Sequence, residues 1–300
     1  MEKTAHHILK KLELNHKRRV ALFHADDVAM CHGANAAFVE LSKRGTVTCG
    51  SVMVPCPGFT EMAEMAAEDH TLDVGVHLTL TSEWQTYRWT PITTTKRSSG
   101  LIDAEGYFWR KLPMLAANCV PEAAEIEMRA QIDSALSSGI DITHIDTHMG
   151  AALLPQLVEI YLRLGSEYRL PVLIPRHIGD YLSVLDFGEI RADRYRNLIE
   201  GLEAQDYPLV DHFRMTPGVP SIESDWAYRD LIRGLPDGLT FVAVHPTVSG
   251  EIERIVPAKA HFRTDEYRIF SDPQYAQLLE EEEIATIGFR PLRDILRRDK

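Results

Sequence analysis

The stretch VALFHADDVAMCHGANAAFVELSKRGTVTCGSVMV, residues 20–54, has the pattern of a strand, a helix and a second strand. Residues 20–24 and 46–54 are short apolar runs rich in β-branched residues, as in the buried strands of parallel sheets. Residues 34–43 between them have helical periodicity, and Gly45 is placed to end that helix. This order predicts one repeating unit of a parallel sheet.

The same alternation continues along the rest of the chain. Further strand candidates are residues 74–80, 140–145, 171–174, 239–244 and 284–288, and the helical patterns between them are residues 59–68, 122–138, 153–167, 225–234 and 273–283. Seven or eight strands in about 300 residues predict an α/β fold of one domain, an irregular TIM-like (β/α) barrel. A doubly wound open sheet is the structural alternative. No glycine-rich nucleotide motif follows any strand.

Three regions of the chain follow from this pattern. Residues 1–18 are predicted to form an N-terminal helical extension, and residues 19–300 the barrel domain. Residues 82–113 are rich in Thr, Trp and Tyr and have little periodicity. Such a long insertion in a compact domain is usually functional, so we interpret it as a lid or a substrate wall.

Composition excludes several classes of partner. The chain has 32 basic and 44 acidic residues and a formal net charge of −12, which disfavours nucleic acid. Its four cysteines form no CxxC pair, as expected of free thiols in a reducing compartment. No apolar run approaches membrane-spanning length, and no apolar signal core is present. We therefore expect a cytoplasmic protein without a membrane partner, and leave a homodimer open.

Polar, titratable residues occur where the predicted strands end. Asp26 and Asp27 follow the first strand, His77 lies in DVGVHLTLT, and His245 closes the late strand before a proline. The carboxyl ends of barrel strands carry the active site. Each residue also has an ordinary interpretation: a helix cap for the aspartates, a hydrogen-bonded core histidine for His77, and an unused loop histidine for His245.

The run ITHIDTH contains the strongest local signal. His144, Asp146 and His148 alternate, so all three side chains point to one side of an extended segment. Burying three such groups is unfavourable unless a partner compensates them, and a metal ion is the simplest partner. A carboxylate and two imidazoles at neighbouring strand ends form a ligand set with open positions, as catalytic zinc sites require, and the set also suits other divalent ions.

The segments HADD, GTVTCGSVMV, DVGVHLTLT, THIDTH and VHP together resemble the YdjC-like carbohydrate deacetylases of the ChbG and HpnK type. The resemblance extends from about residue 19 to residue 294. It implies an irregular TIM-like barrel and one divalent metal ion, zinc or magnesium, held by Asp27, His77 and His148. It also implies that Asp26 is the general base and His245 the candidate acid.

Five further residues are predicted to surround the metal or the substrate. Metal-bound histidines usually donate their second ring N–H to a carboxylate, so Asp146 is expected to orient a ligand, and His144 to do the same or to contact substrate. Trp84 and Trp89 in the insertion are candidates for stacking on a sugar ring, and Arg176 for binding an anionic or hydroxylated group. The two tryptophans could equally be ordinary packing residues, and Arg176 a salt-bridge partner.

The resemblance implies a hydrolase that removes an N-acetyl group from a sugar or oligosaccharide and releases acetate. Two other functions stay open at this point. One is a different metal-dependent barrel hydrolase or isomerase that acts on phosphoesters or free sugars. The other is a sugar-binding protein that has kept the barrel without its chemistry. Acetate release from N-acetylated sugars separates the first function from both alternatives.

Overall fold

A computed structural model describes residues 5–183 and 192–298. Their seven strands are β1 (Arg19–Val28), β2 (Cys49–Val52), β3 (Val74–Leu78), β4 (Ile142–Thr147), β5 (His212–Met215), β6 (Gly238–Val244) and β7 (Ala285–Thr286). Their helices are α1 (Ala5–Lys11), α2 (His32–Arg44), α3 (Phe59–Glu68), α4 (Leu112–Asn118), α5 (Pro121–Ser137), α6 (Val158–Tyr168), α7 (Ile178–Leu182), α8 (Ala192–Ala204), α9 (Ser224–Arg233), α10 (Ile252–Ile255), α11 (Ala260–Ser271), α12 (Pro273–Glu281) and α13 (Arg290–Arg298). Short 3₁₀ helices lie at Arg97–Ser99, His148–Leu153 and Ser221–Glu223.

The strands form one parallel sheet in the order β4-β3-β2-β1-β6-β5. The short strand β7 pairs with the first half of β1, on the side where β2 pairs with its second half. The helices cover the outside, so nearly every strand residue is buried on both faces of the sheet. The predicted α/β architecture with a parallel sheet is confirmed.

Residues 171–177 close the sheet into an irregular barrel. Leu173 donates its backbone N–H to Ile145 of β4 at 3.0 Å. A few residues later, Arg176 donates its N–H to Val210, just before β5, at 2.9 Å. The two outer strands of the sheet are therefore bridged by an extended segment that pairs too briefly to form a regular strand.

Glycine and proline fix the helix ends, as the sequence predicts. Gly45 has a left-handed φ of 74° and donates its N–H to carbonyls in the last turn of α2. Pro121 opens α5, and Gly139, with a φ of 87°, follows its end.

The sequence pattern does not predict β5 or α11. Helix α11 buries several charged side chains, which hides the apolar periodicity that would have identified it.

The N-terminal and inserted segments pack against this barrel. Helix α1 buries Ile8 and Leu9 against the barrel end near β6. The insertion is anchored by the fully buried carboxylate of Glu127, which accepts hydrogen bonds from the backbone N–H groups of Ile92 and Thr93 at 3.1 and 3.0 Å. No helix among the described residues is long and apolar enough to cross a membrane. The boundaries of the extension and the insertion stay predictions.

Aromatic rings fill the inside of the barrel. Phe213 and Phe241 stack with centroids 5.7 Å apart, and Phe289 stacks on the imidazole of His144 at 3.9 Å. His24 packs on Phe241 at 4.7 Å. The cavity described below opens at the carboxyl ends of the strands, above these rings.

Strand register decides which side chains meet there. Strands β1 and β6 pair in register up to Ala25 and Val244, so the next residues, Asp26 and His245, emerge at the same level on neighbouring strands.

Gly75 gives a test of the packing inside the barrel. A Cβ at this position would lie 2.5 Å from the imidazole of His144, which His24 and Phe289 hold in place. We expect Gly75→Ala to lower the free energy of unfolding by about 1–3 kcal/mol in urea titrations. Gly201→Ala in α8 is the matched control because its added methyl group meets open space. Equal stability of Gly75→Ala and wild type would contradict this packing.

Candidate metal centre

The end of β1 turns sharply so that two adjacent aspartates face one cavity. Asp27 has a φ of 58° in the left-handed region, and the pairing of β1 with β2 is irregular there. Asn35 on α2 supports the turn, because its side chain accepts a hydrogen bond from the N–H of Ala29 at 2.7 Å. An ideal strand would send Asp26 and Asp27 to opposite faces, whereas this turn lets both line the cavity.

Three donor atoms converge beside this turn. Asp27 Oδ1 lies 3.0 Å from His148 Nδ1 and 3.5 Å from His77 Nε2, and all three side chains are buried. Ligands bound at about 2.0–2.2 Å to one ion lie roughly 3–3.5 Å from each other. The separations therefore fit a single divalent cation. His148 reaches this position because β4 ends directly before it in a tight 3₁₀ turn.

Each imidazole has a second partner on its other nitrogen. His77 Nδ1 lies 2.8 Å from Asp146 Oδ2 and 3.0 Å from Ser51 Oγ. His148 Nε2 lies 2.9 Å from Glu83 Oε2. Such outer carboxylates orient metal-binding histidines and fix which nitrogen faces the ion. Asp146 thus contacts a candidate ligand, and the orienting role that the sequence predicts for it stays a prediction.

A buried arginine balances the carboxylate of this set. Arg263 on α11 donates to Asp27 Oδ2 at 2.6 Å, which leaves Oδ1 toward the two histidines. Burial raises the pKa of Asp27, but Arg263 and His148 outweigh it and hold that pKa well below its usual range. Burial lowers the pKa of His148, but Glu83 and Asp27 raise it to about 9. Without a cation, the site therefore holds a proton on His148 at neutral pH.

A second polar cluster lies deeper in the barrel. His24 Nδ1 bonds Asp26 Oδ1 at 2.6 Å, and His24 Nε2 bonds His144 Nε2 at 2.8 Å. Burial lowers the pKa of His144 well below its usual range, and the neighbouring His24 lowers it further. This chain of imidazoles holds the carboxylate of Asp26 from below. His144 therefore lies behind His24 and does not line the cavity.

Three sets of residues in the described part of the chain have ligand-like spacing. Two of them include Asp146, which does not line the cavity: His24 with His144 and Asp146, and Asp26 with His77 and Asp146. All three members of the remaining set, Asp27, His77 and His148, line it. That set is accessible to an ion and to a substrate at the same time.

A cavity of about 670 Å³ opens over these residues. His245 lines it beside Asp26, as the strand register requires. Its apolar lining includes the aromatic side chains of Trp84, Tyr181, Phe213 and Phe262. A concave site with aromatic faces and a few polar groups suits a small, polar ligand such as a carbohydrate.

The remaining predicted residues lie in different places. Trp84 lines the cavity, with the guanidinium of Arg263 6.0 Å from its ring. Trp89 is buried and packs on the imidazole of His148 at 6.0 Å, so it supports a candidate ligand and does not face the cavity. Arg176 is not among the cavity-lining residues. It pairs with the buried carboxylate of Asp211 at 2.9 Å, which is the salt-bridge alternative.

Sequence reasoning missed four residues around the site. Glu83, Arg263 and Glu266 come from an irregular insertion and from an unpredicted helix, where no pattern marked them. His24 could have been found, because it alternates with Asp26 in HADD as His144 alternates with Asp146.

Fold and site together define an α/β-barrel protein with a candidate divalent-metal centre. The family model of YdjC-like protein matches residues 20–281, so this chain belongs to the YdjC-like family. A carbohydrate deacetylase of Thermus thermophilus is 33% identical over 289 residues, which cover 96% of this chain and 99% of that protein. A carbohydrate deacetylase of Brevibacillus brevis is 28% identical over 90% of this chain and 98% of its own length.

A solved structure has the same fold. It is a crystal structure from Enterococcus faecalis V583 of a protein provisionally assigned to cellobiose-phosphate cleavage. The superposition has a TM-score of 0.74 and covers 92% of this chain and 99% of that one, at 24% sequence identity.

The ligand set makes a direct prediction about metal content. Asp27→Ala and His148→Ala should each lose the bound ion, because either change removes one of three donors. Asp26→Asn is the control, since its side chain lines the same cavity but lies outside the set. Elemental analysis of folded protein measures the metal content. Stoichiometric metal in both Asp27→Ala and His148→Ala would contradict the assignment.

Metal binding should also depend on pH in a defined direction. The pKa of His148 is about 9 in the metal-free site, so a cation must displace its proton below that pH. We expect proton release on metal binding at pH 7 and an apparent affinity that increases about tenfold per pH unit for each displaced proton. Calorimetry in two buffers with different ionisation enthalpies measures this release. An affinity independent of pH between 6 and 8 would contradict it.

Proposed function

We propose that this protein is a metal-dependent hydrolase that removes an N-acetyl group from a sugar or oligosaccharide and releases acetate. The observation that carries the proposal is one cavity that combines the Asp27, His77 and His148 donors with a separate carboxylate and a separate imidazole. The names of the Thermus and Brevibacillus relatives, which align over at least nine-tenths of this chain, support the same reaction. The aromatic wall of the cavity supports a carbohydrate substrate.

We assign one divalent ion, zinc or magnesium, to Asp27, His77 and His148. When bound, such an ion supplies a Lewis acid that polarises the amide carbonyl and makes water more acidic. Asp146 and Glu83 keep the two imidazoles oriented through their outer nitrogens. These carboxylates contact the histidines on the nitrogens opposite Asp27, so we count them as part of the binding site.

Asp26 is the proposed general base. Its Oδ1 is occupied by the hydrogen bond from His24, which leaves the other carboxylate oxygen for a water molecule in the cavity. The carboxylate takes a proton from that water as the water oxygen adds to the acetyl carbon. Because Asp26 is next to Asp27 on the same turn, the base lies beside the candidate metal ligands without being one.

His245 is the proposed acid. When the carbon–nitrogen bond breaks, the electron pair stays on nitrogen, and the imidazolium gives that nitrogen a proton. The products are acetate and the free amino sugar, and exchange with solvent returns Asp26 and His245 to their starting protonation states. The reaction therefore needs only water as a second substrate.

The proposed setting is the cytoplasm, with a small carbohydrate as the ligand. A net charge of −12 supports a carbohydrate ligand over a nucleic-acid ligand, because it disfavours binding to phosphates.

Asp26→Asn tests the proposed chemistry. The change keeps the size of the side chain but removes the base, so acetate release should fall about 10²–10⁴-fold while metal content stays the same. Enzymatic acetate detection with a panel of N-acetylated mono- and oligosaccharides measures the rate. Asp133→Asn on the exposed face of α5 is the matched control. Unchanged turnover in Asp26→Asn would exclude this role, and no acetate from any substrate would contradict the proposed function.

A further inference from the structure

A buried carboxylate at the edge of the cavity contacts His245, and the proposed reaction does not use it. Glu266 on α11 accepts the backbone N–H of His245 on Oε2 at 2.5 Å. Its Oε1 accepts the hydroxyl of Thr216 at 2.5 Å and also the hydroxyl of Tyr228. The same Thr216 hydroxyl lies 3.0 Å from His245 Nδ1. Residues directly after β5 and β6, together with helices α9 and α11, thus form one connected hydrogen-bond chain at the imidazole.

The direction of these hydrogen bonds follows from counting protons. Burial raises the pKa of Glu266, and His245 and the hydroxyls of Thr216 and Tyr228 offset only part of that rise. Because the hydroxyls of Thr216 and Tyr228 both donate to Oε1 and the backbone N–H of His245 donates to Oε2, the single hydroxyl proton of Thr216 goes to Glu266. The Thr216 oxygen is then an acceptor for His245, and Nδ1 must carry a hydrogen.

Nε2 of His245 is consequently the ring nitrogen that can exchange a proton. His245 lines the cavity, and no group in residues 5–183 or 192–298 forms a hydrogen bond to its Nε2. An imidazole whose Nδ1–H is fixed can gain or lose a proton only at Nε2. The chain through Thr216 therefore selects the tautomer and also sets the plane of the ring.

We propose that Glu266 and Thr216 are positioning residues that keep Nδ1 of His245 protonated and direct Nε2 toward the leaving nitrogen of the substrate. The inference rests on the proposed deacetylation and adds two residues that act through His245. In the step itself, the Nε2–H bond breaks and a new N–H bond forms on the amine nitrogen. Nδ1 keeps its hydrogen and its bond to Thr216 throughout.

The tautomer can be measured without any substrate. Nitrogen-15 NMR of the zinc-loaded full-length protein distinguishes protonated from unprotonated ring nitrogens, and His245→Gln identifies the His245 signals. We expect Nδ1–H in neutral His245 and a shift toward the Nε2–H form in Thr216→Val. An unprotonated Nδ1 in the wild-type protein would overturn the proposal. The wild-type spectrum decides this point even if Thr216→Val does not fold.

Kinetics separate positioning of the acid from a general structural role. For Thr216→Val we expect kcat for acetate release from an N-acetylated sugar to fall about 10- to 100-fold with little change in KM. Hydrolysis of 4-nitrophenyl acetate at the same site should change less than about threefold, because nitrophenolate leaves without needing the proton that acid catalysis supplies. Thr216→Ser keeps the hydroxyl and should recover most of the lost turnover.

Thr240→Val is the matched control for this series. Thr240 is a buried threonine on β6, and its hydroxyl has no hydrogen-bond partner among the described residues, so the change should leave both activities as in wild type. Equal losses with both substrates in Thr216→Val would overturn the positioning role. A wild-type protein that releases no acetate but shows Nδ1–H at His245 would instead overturn the proposed function and leave the hydrogen-bond chain standing.

Discussion

The convergence of Asp27 with two buried imidazoles is the constraint on which the rest of the site depends. Taking a carboxylate and two titratable rings out of water is unfavourable unless their charges are compensated. Here Arg263 donates to the outer oxygen of Asp27, and one carboxylate contacts the outer nitrogen of each of His77 and His148. These three contacts compensate the buried charges. The inner atoms of all three side chains are thereby left facing one point.

Backbone geometry makes this convergence available. Asp27 adopts a left-handed conformation that costs an ordinary residue of order 1 kcal/mol or more, and Asn35 holds the turn that follows. This turn places Asp27, a candidate ligand, and Asp26, the proposed base, side by side on one cavity wall. Register between β1 and β6 then adds His245 at the same level, so the positions of the proposed base and the proposed acid follow from pairing of the two strands.

Two histidines that line the cavity have different surroundings, which suit them to different proposed roles. His148 lies between two carboxylates, which raise its pKa to about 9 and suit it to exchange a proton for a cation. His245 is tied through the Thr216 hydroxyl to the single buried carboxylate of Glu266, which suits it to present one nitrogen to a substrate. The difference lies in what each ring contacts, since both are histidines at strand ends.

The sequence by itself determined an α/β fold with a parallel sheet and most of its strands and longer helices, because β-branched apolar runs and helical patterns with glycine and proline ends are local properties. It also marked Asp27, His77 and His148 as candidates, because strands that end in polar residues stand out from apolar runs. Tertiary structure decided the rest. Arg263 and Glu266 come from a helix whose buried charges hide its pattern, and only folding brings such distant residues to the same cavity.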